Sequence, residues 1–210
     1  MKKIGKFHVL TNTDLQHRFS HVELTTMAVA GGADTIQFRS KSGSTRDMID
    51  SALQMKTLCK KAGVPLIIND RIDVAIAVGA DGVHIGQDDF PIPLARKLLG
   101  PDAIIGGSAG SMEEALKCLS DGSDYIGVGP VYGTSSKSDA GPATGVDNLR
   151  AIAERIALPV IAIGGIKASD IKELMKAGAY GVAVISAVCC EDDPERAALK
   201  IKTEMDKYGK

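Results

Sequence analysis

The stretch AVGADGVHI, residues 77–85, decides the fold. A segment of helical period ends at a glycine, and a short apolar run follows at once. A glycine just past a helix and a buried strand directly after it are typical of the second half of a βα unit. The phrase recurs as AGGADTIQF (30–38), DGSDYIGV (121–128) and KAGAYGVAV (176–184). The repetition predicts a chain that alternates helices and strands.

Eight short apolar runs are predicted strands: 7–10, 35–38, 66–68, 82–85, 103–105, 125–128, 160–163 and 182–185. Stretches of helical period separate them, among them 45–62, 112–119 and 168–177. This predicts an α/β chain, a single-domain (β/α)8 TIM barrel over residues 1–210, at roughly 26 residues per unit. A doubly wound sheet is the rival, but no GxGxxG follows the first strand. A βα protein of unresolved closure is the third reading.

The composition excludes several classes of protein. The net charge is −1 over 210 residues, so no broad face for a nucleic-acid backbone is expected. No apolar run reaches the roughly 18 residues of a membrane-spanning helix. We therefore expect a cytoplasmic protein that binds neither nucleic acid nor membrane. The four cysteines lack CxxC spacing and are predicted to be small buried residues: Cys59, Cys118, Cys189 and Cys190.

The end of the second strand carries alternating polar side chains, Gln37, Arg39 and Lys41. A barrel has its active site at the C-terminal ends of its strands, and these three would point the same way if the strand continued. The planar fork of arginine and the point charge of lysine suit a multi-anionic group such as pyrophosphate.

Two aspartates follow the next two strands, Asp70 and Asp89. Without histidine or cysteine partners, such oxygen ligands favour Mg²⁺, which takes one or two protein carboxylates and completes its shell with phosphate and water. The alternative is that both are helix N-caps, a common role for aspartate after a strand. Their position beside the Arg39 and Lys41 pair favours the metal site.

The fifth and sixth strands are followed by small and hydroxyl-bearing residues. Ser108 follows the fifth strand and could donate to a phosphate or cap the next helix, although Ser111 is the better-placed cap. Residues 127–145 have no apolar period and predict a mobile lid that carries Lys137.

The seventh and eighth strands end in Gly164, Gly165 and Ser186. Backbone N–H groups at this place in a barrel commonly bind phosphate, so these residues predict a phosphate-monoester cradle. The mouth would then have two anion sites, one cationic and one built of backbone, which suits two phosphorylated substrates. His84 is predicted to lie inside the barrel, and no histidine is assigned to catalysis.

Five motifs in order carry a family resemblance: QFRSK (37–41), IINDRIDVAIAVGADGVHIGQDD (67–89), GVGPVYGTSSK (127–137), PVIAIGGI (159–166) and GVAVISA (181–187). On them the chain resembles the thiamin-phosphate synthases, also called thiamin-phosphate pyrophosphorylases, over essentially its whole length. The resemblance implies a Mg²⁺-dependent transferase. Its reaction joins 4-amino-2-methyl-5-hydroxymethylpyrimidine diphosphate to 4-methyl-5-hydroxyethylthiazole phosphate and releases pyrophosphate. It also implies a homodimer as family habit.

The resemblance implies a role for each candidate residue. The pyrimidine diphosphate contacts are Gln37, Arg39, Lys41, Asn69, Ser108 and Lys137. Catalysis is assigned to Arg39, Lys41, Lys137 and Ser108. The thiazole phosphate contacts are Thr134, Ser135, Ser136, Gly164, Gly165, Ile185 and Ser186. The Mg²⁺ ligands are Asp70 and Asp89. The implied course is dissociative: pyrophosphate departs, the aminopyrimidine carries the methylene cation, and the thiazole nitrogen captures it.

The sequence departs from the family pattern in two instructive places. Phe38 stands where leucine is usual and should face away from Arg39, while Ser136 stands where threonine is usual and keeps the hydroxyl. The alternative enzyme is a thiazole tautomerase-like isomerase, which would not need Asp70, Asp89 and Lys137 together. A non-catalytic barrel that binds a phosphate ligand would keep the glycine cradle but has no use for a metal pair.

Overall fold

Within residues 4–137 and 140–208, which the computed structural model describes, the chain folds into eight strands that alternate with helices. The strands are β1 (Phe7–Thr11), β2 (Thr35–Phe38), β3 (Leu66–Asn69), β4 (Gly82–Ile85), β5 (Ile104–Ala109), β6 (Tyr125–Val128), β7 (Val160–Ile163) and β8 (Gly181–Val184). The helices are α1 (His21–Ala30), α2 (Thr45–Ala62), α3 (Ile72–Val78), α4 (Ile92–Leu99), α5 (Met112–Ser120), α6 (Gly145–Arg155), α7 (Ile171–Lys176), α8 (Ser186–Cys189) and α9 (Pro194–Asp206). A short 3₁₀ helix, Ala168–Asp170, precedes α7.

The strands close into a barrel. They pair in chain order, all parallel, and β1 also pairs with β8. The predicted (β/α)8 barrel is therefore confirmed, and the doubly wound and unclosed readings are wrong. Because the sheet has no free edge, the C-terminal ends of all its strands meet at one mouth.

Apolar side chains form two layers, one between the sheet and the helices and one inside the barrel. The inner layer includes Leu10, Ile67 and Ile161. Phe38 lies in the outer layer, where its ring meets that of His21 at 4.7 Å. It faces away from the barrel interior, as alternation along β2 predicts.

Several predicted boundaries differ from the structure by one residue, and two elements differ by more. The fifth strand runs to Ala109, so Gly106, Gly107 and Ser108 lie within it and not in a corner after it. The glycine is needed for space, because a Cβ on Gly106 would lie 2.2 Å from Cζ of Tyr125 on the next strand. The predicted helix 168–177 is a 3₁₀ turn followed by the shorter α7.

The recurring phrase forms a reciprocal hydrogen-bond pair, which we call the corner clamp. The backbone N–H of Asp34 donates to the carbonyl of Phe7, and the carboxylate of Asp34 accepts from the N–H of Phe7. Asp81 makes the same pair with Leu66, and Asp124 with Ile105. Each clamp joins an odd-numbered strand to the turn that starts the next even-numbered one.

In the fourth occurrence of the phrase, a tyrosine stands where the other three have the clamp aspartate. Tyr180 keeps the backbone bond, to Val160, while its hydroxyl donates to the carbonyl of Ile4. Lys56 and Arg96 reinforce two of the carboxylate clamps, with ion pairs of 2.7 Å to Asp81 and Asp124. The clamps thus tie the helix-to-strand corners to the bottom of the barrel.

Asp124→Ala is expected to lower the free energy of unfolding by about 1–3 kcal/mol, because it leaves the N–H of Ile105 without its acceptor and removes the carboxylate from Arg96, which keeps its bonds to backbone carbonyls. Urea unfolding measures the change. Asp192→Ala is the matched control, since Asp192 pairs with Arg18 at full exposure and should change stability by under about 0.5 kcal/mol. Equal losses in the two variants would show that the clamp contributes nothing beyond a surface pair.

Candidate active site at the mouth of the barrel

A cavity opens at the C-terminal ends of the strands and reaches down into the barrel; we call it the mouth cavity. Most of the predicted site residues line it: Gln37, Arg39, Asn69, Asp70, Ser108, Thr134, Ser136, Lys137, Gly164, Gly165, Ile185 and Ser186. Three do not. Lys41 and Asp89 interact with Asp70 at the rim, and Ser135 lines an adjoining groove beside α9.

The β2 side of the cavity contains two buried polar groups without partners. Arg39 is only 7% exposed, and within the described residues no hydrogen bond or ion pair joins its guanidinium. The side-chain oxygen Oε1 of Gln37 is likewise buried and without a hydrogen bond in that part of the chain. Buried polar groups and charges are normally paired, so both are set up for a ligand.

Asp70 and Asp89 lie together at the rim. Asp70 has a left-handed backbone, with φ of 61°, and its carboxylate accepts a 2.6 Å ion pair from Lys41. The carboxylate of Asp89 accepts from the N–H of Gly86 at 2.9 Å. Helices α3 and α4 begin after Arg71 and Pro91, so neither aspartate is an N-cap and that alternative is wrong.

The two carboxylates influence each other's protonation. Burial raises the pKa of Asp89 above its usual range, and the adjacent Asp70 raises it further. The N–H of Gly86 and the ammonium of Lys41 act in the opposite direction. A site that holds two carboxylates this close favours a cation that neutralises them.

The donor set fits a hard cation with few protein ligands. Over the described ranges, His, Cys, Asp and Glu side chains form no group of three or more that could hold a metal ion. Two carboxylates at the edge of an anion-binding cavity suit Mg²⁺, because that ion typically takes one or two carboxylates together with substrate phosphate.

The β6 side of the mouth is covered by the loop from Gly129 to Thr144, since Gly127 and Val128 belong to β6 and Gly145 begins α6. The hydroxyl of Ser136 donates to that of Ser186 at 3.1 Å, across the two halves of the proposed phosphate cradle. Residues 138 and 139 of the predicted lid lie outside the described part of the chain.

At Gly164 and Gly165 the backbone conformation and the close approach of the loop both need a residue without a side chain. Both have left-handed φ values, 100° and 65°, which favour glycine. A Cβ on Gly164 would lie 2.5 Å from Cα of Pro130, and one on Gly165 would lie 2.5 Å from the carbonyl oxygen of Gly133. The glycine pair therefore lets the loop cross closely above β7, a role that the sequence pattern did not indicate.

Two residues at the floor of the mouth cavity carry polar groups beside Ser108. His84, predicted to be interior, contacts the hydroxyl of Ser108 through Nε2 and that of Tyr125 through Nδ1, each at 3.0 Å. Tyr125 was missed, because a tyrosine that begins an apolar strand is normally core. Ser108 caps no helix; Ser111 caps α5, as predicted.

Burial keeps the interior side chains uncharged. It lowers the pKa of His84 to about 3, and the charge of Lys137 contributes in the same direction. It raises the pKa of Cys59 and of Cys189 to about 12, so these thiols stay protonated. Cys190 is half-buried, and all four cysteines are free, which agrees with the prediction of small packed residues for three of them.

Asp70→Asn is expected to lower the pKa of Asp89, because it removes the neighbouring carboxylate while asparagine tolerates the left-handed backbone. Lys41→Met should raise the same pKa, because it removes the cation. Side-chain carboxyl ¹³C shifts followed against pH measure both. Shifts in the same direction would contradict the rim geometry.

The chain is similar to known proteins over most of its length. The family model described as thiamine monophosphate synthase matches residues 7–188. A thiamine-phosphate synthase of Chloroflexus aurantiacus is 47% identical over 197 residues, 94% of this chain and 91% of the relative. One of Methanocella arvoryzae is 48% identical over 201 residues, 96% of this chain and 95% of the relative.

The fold is the same as that of a relative whose structure has been solved. The thiamine phosphate pyrophosphorylase from Pyrococcus furiosus superposes with a TM-score of 0.89 at 38% identity, covering 97% of this chain and 96% of that one. No helix in the described residues is long and apolar enough to span a membrane. The chain belongs to the thiamine monophosphate synthase family, and the resemblance inferred from its motifs is confirmed.

Proposed function

We propose that this transferase, a thiamine-phosphate synthase, joins 4-amino-2-methyl-5-hydroxymethylpyrimidine diphosphate to 4-methyl-5-hydroxyethylthiazole phosphate and releases pyrophosphate. The observation that carries this assignment is Arg39, a largely buried arginine that lines the cavity beside two adjoining carboxylates and makes no hydrogen bond or ion pair with the residues that the structure describes. An anion that arrives with a hard cation satisfies both groups at once.

The β2 to β4 side holds the diphosphate. Arg39 supplies a planar fork of donors for two phosphate oxygens, and Lys41 and Lys137 supply point charges. Asp70 and Asp89 would hold Mg²⁺, which supplies additional positive charge to the leaving pyrophosphate when bound. Because Lys41 pairs with Asp70, the cation site and the lysine are held in one arrangement.

The reaction needs positioning and charge stabilisation more than acid or base catalysis. The carbon–oxygen bond to the diphosphate breaks, and its electron pair leaves with pyrophosphate. The methylene cation that remains is delocalised into the electron-rich aminopyrimidine until the thiazole nitrogen donates its electron pair to that carbon. Preorganised cations around the leaving group lower the barrier to the first step.

The second substrate is placed by the opposite side of the mouth. Backbone N–H groups at Gly164 and Gly165 and the hydroxyls of Thr134, Ser135, Ser136 and Ser186 would receive its phosphate, with Ile185 against the thiazole. Ser136 and Ser186 already share a hydrogen bond, so one phosphate would bridge the loop and the first residue of α8. We further propose that residues 1–210 act as one catalytic barrel domain in the cytoplasm, assembled as a homodimer.

Incubation of the protein with both substrates and Mg²⁺ should yield equal amounts of thiamin phosphate and pyrophosphate, measured by chromatography and a coupled assay. Chelation of the metal should abolish both products. Asp70→Asn should raise the Mg²⁺ requirement by at least about 10–100-fold, because a ligand carboxylate is lost without a change of backbone. Isomerisation of a thiazole phosphate carboxylate without pyrophosphate release would favour the tautomerase instead.

Arg39→Met should lower kcat/KM by on the order of 10²–10³-fold while changing the free energy of unfolding of the ligand-free protein by under about 1 kcal/mol, since the guanidinium lines an open cavity and makes no hydrogen bond with the described residues. Steady-state kinetics and urea unfolding measure the two effects. Arg46→Met, at an exposed position of α2, is the control and should change neither. A variant that is both inactive and less stable would place Arg39 in the structure rather than in the site.

A further inference from the structure

The floor of the mouth cavity holds a line of polar side chains that crosses the barrel. It runs from Gln37 on β2 through Tyr125 on β6 and His84 on β4 to Ser108 on β5. The two ends belong to the proposed pyrimidine diphosphate site, whereas the two middle residues have no assigned role. Tyr125 is 1% exposed, and His84 lines the cavity.

The barrel makes room for this pair of rings. A Cβ on Gly106 would lie 2.2 Å from Cζ of Tyr125 and 2.5 Å from Nδ1 of His84. A Cβ on Gly127 would lie 3.0 Å from Cε1 of His84. Two strands thus have bare backbone where the rings stand, although glycine weakens a strand interior. The polar pair is therefore built into the barrel.

Gln37 lies at the β2 end of this line, beside Tyr125. Burial raises the pKa of Tyr125, and the nearby Gln37 side chain lowers it in part. Within the described residues the buried oxygen Oε1 of Gln37 accepts no hydrogen bond, so it is available to a ligand.

The Tyr125 hydroxyl donates its hydrogen bond to His84. In the described part of the chain, Nδ1 of His84 is the only group within hydrogen-bond distance of that hydroxyl. A buried hydroxyl proton without an acceptor is costly, so Nδ1 accepts. Because burial keeps the imidazole neutral, its single proton sits on Nε2 and is donated to the oxygen of Ser108.

Ser108 is held at a second point as well. Its carbonyl accepts from the side-chain nitrogen of Gln87 at 2.5 Å and from Sγ of Cys118 at 3.4 Å. The backbone of Ser108 is therefore anchored, and its hydroxyl, which accepts from His84, keeps its own proton to donate into the cavity.

We propose that Tyr125 and His84 are positioning residues that set the Ser108 hydroxyl as a hydrogen-bond donor toward the pyrimidine diphosphate. The proposal rests on the proposed function for the identity of that ligand. The direction of the hydrogen bonds is a property of the free protein and can be tested without substrate.

The first test is the tautomer of His84, read from two-bond ¹H–¹⁵N correlations of the protein labelled with ¹⁵N-histidine. The signals are assigned with His84→Gln, and we expect a protonated Nε2 and an unprotonated Nδ1. Tyr125→Phe keeps the ring and removes the donor to Nδ1, so the ¹⁵N signal of the unprotonated Nδ1 should move downfield, as it does when such a nitrogen loses a hydrogen bond. A protonated Nδ1 in the unaltered protein, or an unchanged Nδ1 signal in Tyr125→Phe, overturns the assigned direction.

The second test is a kinetic cycle between His84 and Ser108. His84→Leu should lower kcat by about 10–100-fold, whereas His84→Gln, whose amide nitrogen can replace Nε2, should stay within about 5-fold. On a Ser108→Ala background, His84→Leu should cost less than about 2-fold further, because the group it positions is absent. The KM for thiazole phosphate should not change in any of these variants.

Two variants act as controls for the same chemical changes elsewhere. Tyr180→Phe removes a hydroxyl at the bottom of the barrel, and His17→Gln replaces an exposed histidine; both should leave kcat unchanged.

Equal effects of His84→Leu on kcat with and without Ser108 would overturn the proposal, as would a His84→Gln variant that folds but is as slow as His84→Leu. If His84→Leu does not fold, the proposal is decided by the tautomer of His84 and by kcat of His84→Gln, measured with Ser108 present and in Ser108→Ala. Absence of thiamin phosphate formation by the unaltered protein would instead refute the proposed function and leave the tautomer result standing.

Discussion

The hydrogen-bonded pairing of β1 with β8 is the constraint on which the rest of the structure depends. It closes a parallel sheet whose strands all run in one direction, so that every strand delivers its last residue to the same mouth. Arg39, Asp70 and Ser186 come from distant parts of the sequence, yet all lie around one opening. An open sheet of the same strands would spread these groups along an edge and could not surround a diphosphate.

Closure also explains why unpaired polar groups are tolerated inside the protein. Apolar side chains inside the barrel, such as Ile67 and Ile104, supply cohesion. Arg39 and the Gln37 oxygen line the mouth and make no hydrogen bond with the described residues. The stability gained from the apolar packing offsets the cost of this arrangement, and the proposed phosphorylated ligand would remove that cost. A site prepared in this way loses little energy to rearrangement when the substrate arrives.

The sequence predicts the strand ends well and the barrel interior poorly, for a physical reason. Charged residues that follow an apolar run, such as Arg39 and Asp70, can be recognised in the sequence, because a charged side chain at the end of a strand does not contribute to core packing. His84 and Tyr125 lie within apolar runs, where a single polar residue looks like a satisfied core residue. The glycines of β5 resembled a turn for a related reason, since only the ring of Tyr125 on the adjacent strand shows why Gly106 must lack a side chain. Contacts between strands distant in sequence cannot be inferred from one run at a time.

The three corner clamps join β1 to β2, β3 to β4 and β5 to β6, because each links an odd-numbered strand to the even-numbered strand after it. At the fourth occurrence of the phrase, β7 and β8 share a backbone bond alone, and the Tyr180 hydroxyl crosses to Ile4 beside β1. The phrase thus occurs once at the entrance to each even-numbered strand. A circularly permuted chain that begins between β2 and β3 would keep every clamp within a continuous segment, whereas one that begins between β3 and β4 would divide the clamp of Asp81 between its two termini.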